Sequence, residues 1–437
     1  MSKNMMRICL FFGALLLLSS CGNGKDVVLS VDVECDTVSA EGGQIFVSVR
    51  SDSSWSVFMT DDATGADPDW AELSASSGTG DRNLVLTYKA NPDVTLARRL
   101  TVTAVSDSVK ESATMEQSPA EKSEGPDPAP DPTPDPDPTP DPTPDPDPDP
   151  TPDPDPVKIG KYAWYELPVM NLKSSGSYLV DAGDSDMYYA YHMCAGNEKG
   201  PGGKKARNYT VCYSAEHHCP VWVAAPRHEM YESGAKRTDA YGKDPDIPAG
   251  IQYDSKSTGG GCNKGHMLGS AERLSSTATN RQVFYYTNIA PQYSDTFNTG
   301  GGGWNTLEDW VDKQVCSDTL YVVIGAYFEK YTDRRGYTDS PKTISFGGRD
   351  DVTRPSMFYY ILMRTKDGNS GKPLSQCSAS EIKCAAFVRS HATPKGVKVS
   401  EKDLMSVSDL EELTGFTYFP NVPQAPKDSY KASDWGL

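Results

Sequence analysis

Positive charge is scarce in this chain: its 437 residues carry 42 Lys and Arg against 60 Asp and Glu, for a formal charge of −18 at pH 7. That balance excludes a surface that is basic all round, so a polyanion would have to be met by a local groove. Long apolar runs are almost missing. Residues 8–18 form the one candidate, and they fall short of the roughly 20 residues a membrane-spanning helix needs. Cysteine is present without a metal-binding arrangement: positions 194, 212, 219, 262, 316, 377 and 384 come in no spacing that suits a structural zinc site. No strand–Cys–helix signature surrounds Cys219 or Cys262, which weighs against a cysteine hydrolase pairing one of them with a histidine. The chain has ten cysteines, and the seven from position 194 onward are odd in number, so at least one of those thiols stays free. Bridges Cys212–Cys219 and Cys377–Cys384 would each close a short loop, and the connectivity stays open.

What is there divides into parts. Lys3 and Arg7 followed by the apolar stretch 8–18 make a secretory leader. The run Leu18-Ser19-Ser20-Cys21-Gly22 resembles a bacterial lipobox. That resemblance implies cleavage before Cys21, lipidation of Cys21, and attachment to a membrane by lipid alone. The expected location is the bacterial cell envelope, as an outer-membrane lipoprotein on the periplasmic or the outer face. The plainer alternative is an ordinary secretory peptide with an incidental cysteine. We read 1–20 as the signal peptide and 21–26 as a tether.

Residues 27–119 alternate apolar and polar positions between Gly, Ser and Asp turns, as in Ile45-Phe46-Val47-Ser48-Val49 and Leu100-Thr101-Val102-Thr103-Ala104. This predicts a small all-β sandwich. Ser54-Trp55-Ser56, Trp70, the turn 76–80, Asn91, Arg98-Arg99 and Met115-Glu116-Gln117 resemble a BACON domain, an immunoglobulin-like sandwich for which glycan contact is suggested. The strand context of Trp55 and Trp70 favours core residues of a spacer over a glycan platform. Residues 120–157 are Pro-Asp-Pro-Thr repeats. Between 121 and 156, ten Asp and two Glu against one Lys account for eleven of the eighteen net negative charges. Such a chain buries no core and adopts extended polyproline II, reaching on the order of 110 Å at about 3.1 Å per residue. We expect a disordered stalk that holds the last unit off the membrane. It lacks the glycine and bidentate glutamate of a calcium loop.

Residues 158–437 mix strand-like runs with helices near 304–315 and 406–413, an α+β pattern. The chemistry-bearing stretch runs from Cys262 to Asp309. It reads C-N-K-G-H-M-L-G-S-A-E-R, then T-N-I-A-P-Q at 287–292, then Asn298, Trp304, Leu307 and Glu308. A histidine to accept a proton from water, an amide oxygen for a hard cation and a carboxylate behind it suit hydrolysis of a phosphodiester. These three blocks, in this order, resemble the DNA/RNA non-specific endonuclease family, in which the histidine stands in a D-R-G-H signature. Residues 406–420, 354–362 and 386–388 resemble its closing helix and late strands, so the likeness covers roughly 160–420.

The resemblance implies a multidomain protein: an immunoglobulin-like sandwich followed by a ββα-metal (His-Me finger) nuclease domain. It also implies a Mg²⁺-dependent activity, with Mn²⁺ as the substitute ion, on DNA and RNA without sequence preference. His266 would be the general base, Asn298 the direct metal ligand, and Glu308 would hold the metal's waters. Asn288 would position the centre, Arg237 would steady the phosphate in the transition state, and Lys264 would stand in the basic position of the signature. Three departures matter. Asn263 and Lys264 replace Asp and Arg, so a charge and a planar fork are lost. The loop after Asn298 is two residues longer, through Gly300 to Gly303, and predicts a looser metal geometry. An arginine expected one turn past Glu308 falls at Asp312-Lys313. The rival reading is a catalytically weak surface protein that binds extracellular nucleic acid or glycans. The oligomeric state is not legible.

Overall fold

The computed structural model describes residues 28–120 and 164–437, apart from positions 35, 39, 176, 177, 197 and 200–205. The leader, Cys21 with its tether, and nearly all of the Pro/Asp-rich linker lie outside the described residues. Among those described, no helix is long and apolar enough to cross a membrane.

Two units form. The first is a β-sandwich. A four-stranded sheet orders strands Leu29–Val33, Gly43–Ser51, Arg82–Tyr88 and Ala71–Leu73. It faces a five-stranded sheet of Thr37–Val38, Val109–Gln117, Arg98–Ser106, Ser54–Asp61 and Ser77–Thr79. Inward residues such as Val47, Val49, Leu84, Leu86, Val102 and Met115 fill the space between them. Trp55 and Trp70 belong to this core, at 4% and 5% exposure. The indole N–H of Trp55 donates to the Gly80 carbonyl and that of Trp70 to Asp61, each at 2.7 Å. Neither ring is free to stack on a sugar.

The second unit is one nine-stranded antiparallel sheet, in the order Leu172–Ser175, Tyr178–Asp181, Met187–Met193, Arg207–Ser214, Cys219–Arg227, Leu320–Tyr327, Met357–Thr365, Ile382–Ser390 and Leu404–Met405. Both faces are covered, so the strands read as nearly unbroken apolar runs. In the strand 357–365, Met357, Tyr359, Ile361 and Met363 enter one core while Phe358, Tyr360 and Leu362 enter the other. Among the described residues three α-helices form: α1 (Thr277–Gln282), α2 (Gly303–Val311) and α3 (Val407–Thr414). The helix expected over 304–315 stops at Val311 and tightens into a 3₁₀ turn, Asp312–Gln314. α2 packs Trp304, Leu307 and Val311 on the second face, and α3 packs Val407 and Leu410 on the first. The strands follow one another in chain order, and two steps carry inserted strands. Residues 328–356, between Leu320–Tyr327 and Met357–Thr365, form short hairpins, and the candidate site is built in the longer insertion, residues 228–319, between Cys219–Arg227 and Leu320–Tyr327.

One expectation is corrected. Neither short-loop disulfide exists: Cys212, Cys219, Cys377 and Cys384 are unbridged. Cys212 and Cys219 enter opposite cores of the sheet, so their side chains point apart. The sandwich packs against the second unit: Phe46 and Val85 join a core cluster with Trp164, Leu167 and Tyr191.

Tight strand packing sets a testable constraint. A Cβ on Gly325 would lie 1.8 Å from the Tyr359 ring. We expect Gly325→Ala to cost about 1–3 kcal/mol and to lower the thermal midpoint by several degrees. An unchanged midpoint would show that Tyr359 has room to yield.

Candidate active site

The site grows from one strand pair. Cys262–His266 runs antiparallel to Ile289–Tyr293, with Gly265 opposite Ala290 and His266 opposite Ile289. The chain returns between them through the 3₁₀ turn Ser270–Arg273 and α1, which is capped by the Ser276 hydroxyl. Asn288 closes this return. Its side chain is fully buried and donates to the carbonyls of Leu268 and Val283 at 2.9 and 2.7 Å. It accepts the Leu268 N–H at 2.9 Å. Its amide therefore braces the turn two residues beyond His266, and all of these bonds are to backbone.

Around the imidazole the structure gathers Lys264, Arg237, Tyr241 and Phe284. The His266 ring meets the face of Phe284 edge-on at 4.8 Å and lies 5.9 Å from Tyr241. The Arg237 guanidinium stacks 4.8 Å over the same Phe284 ring and is tied to Asp239 at 2.7 Å. The Lys264 ammonium stands 5.0 Å over Tyr241. The His266 Nε2 is buried without a hydrogen-bond partner. Burial, then the nearby Arg237 and Lys264 cations against a smaller pull from Asp239, bring this imidazole down to about 3. It is neutral at physiological pH, with a lone pair to offer.

The amide ligand candidate sits across Gly265. Asn298 ends a π-turn, Ser294–Asn298, and its amide nitrogen donates to the Gln292 oxygen at 2.6 Å. This fixes the side chain and leaves Oδ1 with only a long 3.4 Å contact from Asn263. Gln292 lies flat over Gly265, where a Cβ would stand 2.2 Å from it. The glycine between Lys264 and His266 is thus demanded by packing. The glycine-rich loop that follows is held by hydrogen bonds. Gly302 donates to the Thr299 carbonyl at 2.6 Å, and Gly301 to the Asn305 side chain at 2.8 Å. Cβ atoms at 302 and 303 would collide with the backbone of Phe297 and Thr393. The inserted residues make a tight corner.

Glu308 lies on α2, which packs directly on the π-turn carrying Asn298. Burial, with Glu272, Asp312 and Asp309 nearby, pushes its carboxyl up to about 8. Glu272 rises to about 7, chiefly from burial. A hard divalent cation near Glu308 would favour its ionised form and displace its proton. Position 312, where an arginine was expected, is an aspartate. The cation comes instead from Arg227 at the end of its strand: it pairs with Asp312 and Glu232, each at 2.9 Å, and with Glu272 at 3.4 Å. Nothing local marks Arg227 in the sequence, since 85 residues separate it from Asp312. Gln292 was legible within T-N-I-A-P-Q, but its role in aiming Asn298 was not.

Among the described residues, His192, Asp244 and Asp246 form a buried group that could hold a metal. Their geometry argues otherwise. Asp244 faces Nε2 at 2.9 Å and Asp246 faces Nδ1 at 3.8 Å, so the carboxylates flank different ring nitrogens instead of converging on one point. Burial works to lower this imidazole, but Asp244 and then Asp246 raise it above its ordinary value, so the two carboxylates grip the ring from both sides. Cys219 and Cys262 are buried, and burial raises both thiols, Cys262 to about 11, which removes them as nucleophiles. A cavity of about 460 Å³ walled by Tyr189, Tyr359 and Phe416 opens on the first face of the sheet and includes none of the candidate site residues.

The family model for DNA/RNA non-specific endonucleases matches residues 193–425. The human mitochondrial nuclease EXOG is 26% identical over 229 residues, which cover 50% of this chain. The chain spans 58% of that relative's length. A nuclease of Nostoc sp. (strain PCC 7120) is 26% identical over 243 residues, 53% of this chain and 81% of its own. Among solved structures, the EndoG/EndoGI complex aligns with a TM-score of 0.41 and 19% identity, over 50% of this chain and 86% of that one.

A second histidine supports the strand that leads to Asn298. His391 is fully buried; its Nε2 accepts the Tyr293 N–H at 2.8 Å, and its Nδ1–H donates to the Pro355 carbonyl at 2.8 Å. Burial holds it down to about 3, against about 6.5 when unfolded. The unfolded chain therefore binds the extra proton. This residue's stabilisation is complete above about pH 6.5 and drains away as pH falls toward 3, by at most about 1.4 kcal/mol per pH unit. We expect His391→Gln to flatten the acid limb of a urea-unfolding pH series. An identical limb in both proteins would refute this role.

Proposed function

The chain belongs to the DNA/RNA non-specific endonuclease family, and on that premise we propose that it hydrolyses phosphodiester bonds of DNA and RNA with little sequence preference. The observation that carries this reading is the buried, uncapped Nε2 of His266 on a strand that also leads, through Asn263 and Gln292, to Asn298. A divalent cation, Mg²⁺ or Mn²⁺, held by the Asn298 oxygen and through water by Glu308, would neutralise charge on the scissile phosphate.

The protein's own groups supply the rest. His266 is neutral in the free protein, and with an anionic phosphate beside the ring to raise its affinity for a proton it takes the proton of the attacking water. Its T-shaped contact with Phe284 and the Asn288 brace hold the ring in one orientation, so little freedom is lost at the moment of reaction. Arg237 and Lys264 supply the local positive charge that the chain as a whole lacks, where negative charge builds on the phosphate. Asp239 keeps the Arg237 fork from swinging away. The expected products carry 5′-phosphates. Lys3, Arg7, the apolar residues 8–18 and Cys21 support a lipid-anchored protein of the cell envelope, where it would degrade extracellular nucleic acid.

Plasmid and RNA cleavage by the full chain tests the reading. We expect cutting with Mg²⁺ and none with EDTA. Removing the direct ligand in Asn298→Ala should lower the rate by at least about 100-fold, and Glu308→Gln by about 10–100-fold. Alkylating the thiols should leave the rate unchanged. Metal-independent cutting, or a fully active Asn298→Ala protein, would defeat the proposal.

A further inference from the structure

We propose that the N-terminal sandwich is a docked part of the nuclease unit, and that its outer sheet face holds the scaffold behind His266 in place. Strand alternation shows why a partner is required. In Gly43–Ser51, Ile45, Val47 and Val49 fill the sandwich's own core. Phe46 and Ser48 point the other way, yet they are only 6% and 5% exposed. In Arg82–Tyr88, Leu84 and Leu86 point inward, while outward Asn83 and Val85 are each 5% exposed. A sheet buried on both faces needs a second body against it, and the second unit provides one.

The seam has an aromatic centre and a polar edge. Phe46 stacks on Tyr191 at 4.5 Å and 15°, Trp164 lies 4.6 Å from Tyr191, and the Arg207 guanidinium covers Trp164 at 4.5 Å. Beside it, Asn83 donates to the Tyr191 carbonyl and to Asp246, the latter at 3.4 Å. Arg82 donates to the Pro245 carbonyl at 2.8 Å, and Arg50 to the Asn83 oxygen at 2.9 Å. Arg50 and Arg82 thus face the acidic Asp244–Asp246 turn.

That turn connects to the site. Asp244 accepts from His192 at 2.9 Å and from the Thr287 hydroxyl at 2.6 Å. Thr287 adjoins Asn288, whose amide braces Leu268, two residues from His266. The docked face therefore presses on the far end of the strand-return segment that sets the imidazole. Only the effect on turnover rests on the nuclease reading.

Hydrogen exchange of the full chain, without substrate, tests the docking. The variants are Asn83→Asp, which sets a carboxylate against Asp246, and Phe46→Glu. Both positions point away from the sandwich core, so strand Arg98–Ser106 should stay protected. We expect at least tenfold faster exchange in 187–193, 242–253 and 285–289 in both variants, and several-fold slower DNA cleavage. Wild-type protection of those segments in both variants, or in Phe46→Glu alone should Asn83→Asp unfold the sandwich, overturns the proposal. A wild-type chain that cuts nothing but shows the exchange effect would defeat the nuclease reading and leave the docking standing.

Discussion

The antiparallel pairing of Cys262–His266 with Ile289–Tyr293 is the constraint on which the site depends. It sets the histidine's strand directly against the strand that runs on, through Tyr293, to Asn298. Neither strand could hold this register alone. Asn288 locks one end by satisfying three backbone groups in a dry interior, and leaving those groups unpaired would cost on the order of 1–3 kcal/mol each. His391 locks the other end through the Tyr293 N–H. Gly265 gives the space between them to Gln292, which aims Asn298.

The large sheet matters as the frame for this pair. Its nine strands pair antiparallel in chain order, and the longest excursion between neighbours, residues 228–319, carries all of the candidate chemistry. The second face of the sheet seats Trp304 and Leu307, which fixes α2 and with it Glu308. A net charge of −18 is no obstacle when Arg237 and Lys264 stand beside the imidazole and eleven of the negative charges lie in a linker remote in sequence.

Much of this was legible because the informative residues are close in sequence. N-K-G-H, T-N-I-A-P-Q and the Asn298–Glu308 block fall within 46 residues, and pairing and turn chemistry act at that range. α3 begins one residue after its Ser406 cap and ends at a left-handed Gly415, so its bounds follow from local rules. What escaped was non-local. Arg227 takes the place of a missing helical arginine from a distant strand. The Gly300–Gly303 insertion reads as slack until Thr393 and Phe297 are seen to enclose it. Alternation in the strand 43–51 pointed to a sandwich, but not to what covers its outer face: Phe46 and Ser48 are buried, and Phe46 stacks on Tyr191, more than a hundred residues away. The Cys212–Cys219 disulfide proposed from spacing failed because the two cysteines occupy opposite faces of one sheet.

The central claim is that His266 takes the proton of the attacking water. The most direct measurement is the Mg²⁺-dependent cleavage rate of full-length His266→Ala, with and without added imidazole. We expect a loss of about 10²–10⁴-fold, partly restored by imidazole in this variant and not in Asn298→Ala. A His266→Ala protein that cuts at the wild-type rate would contradict the assignment.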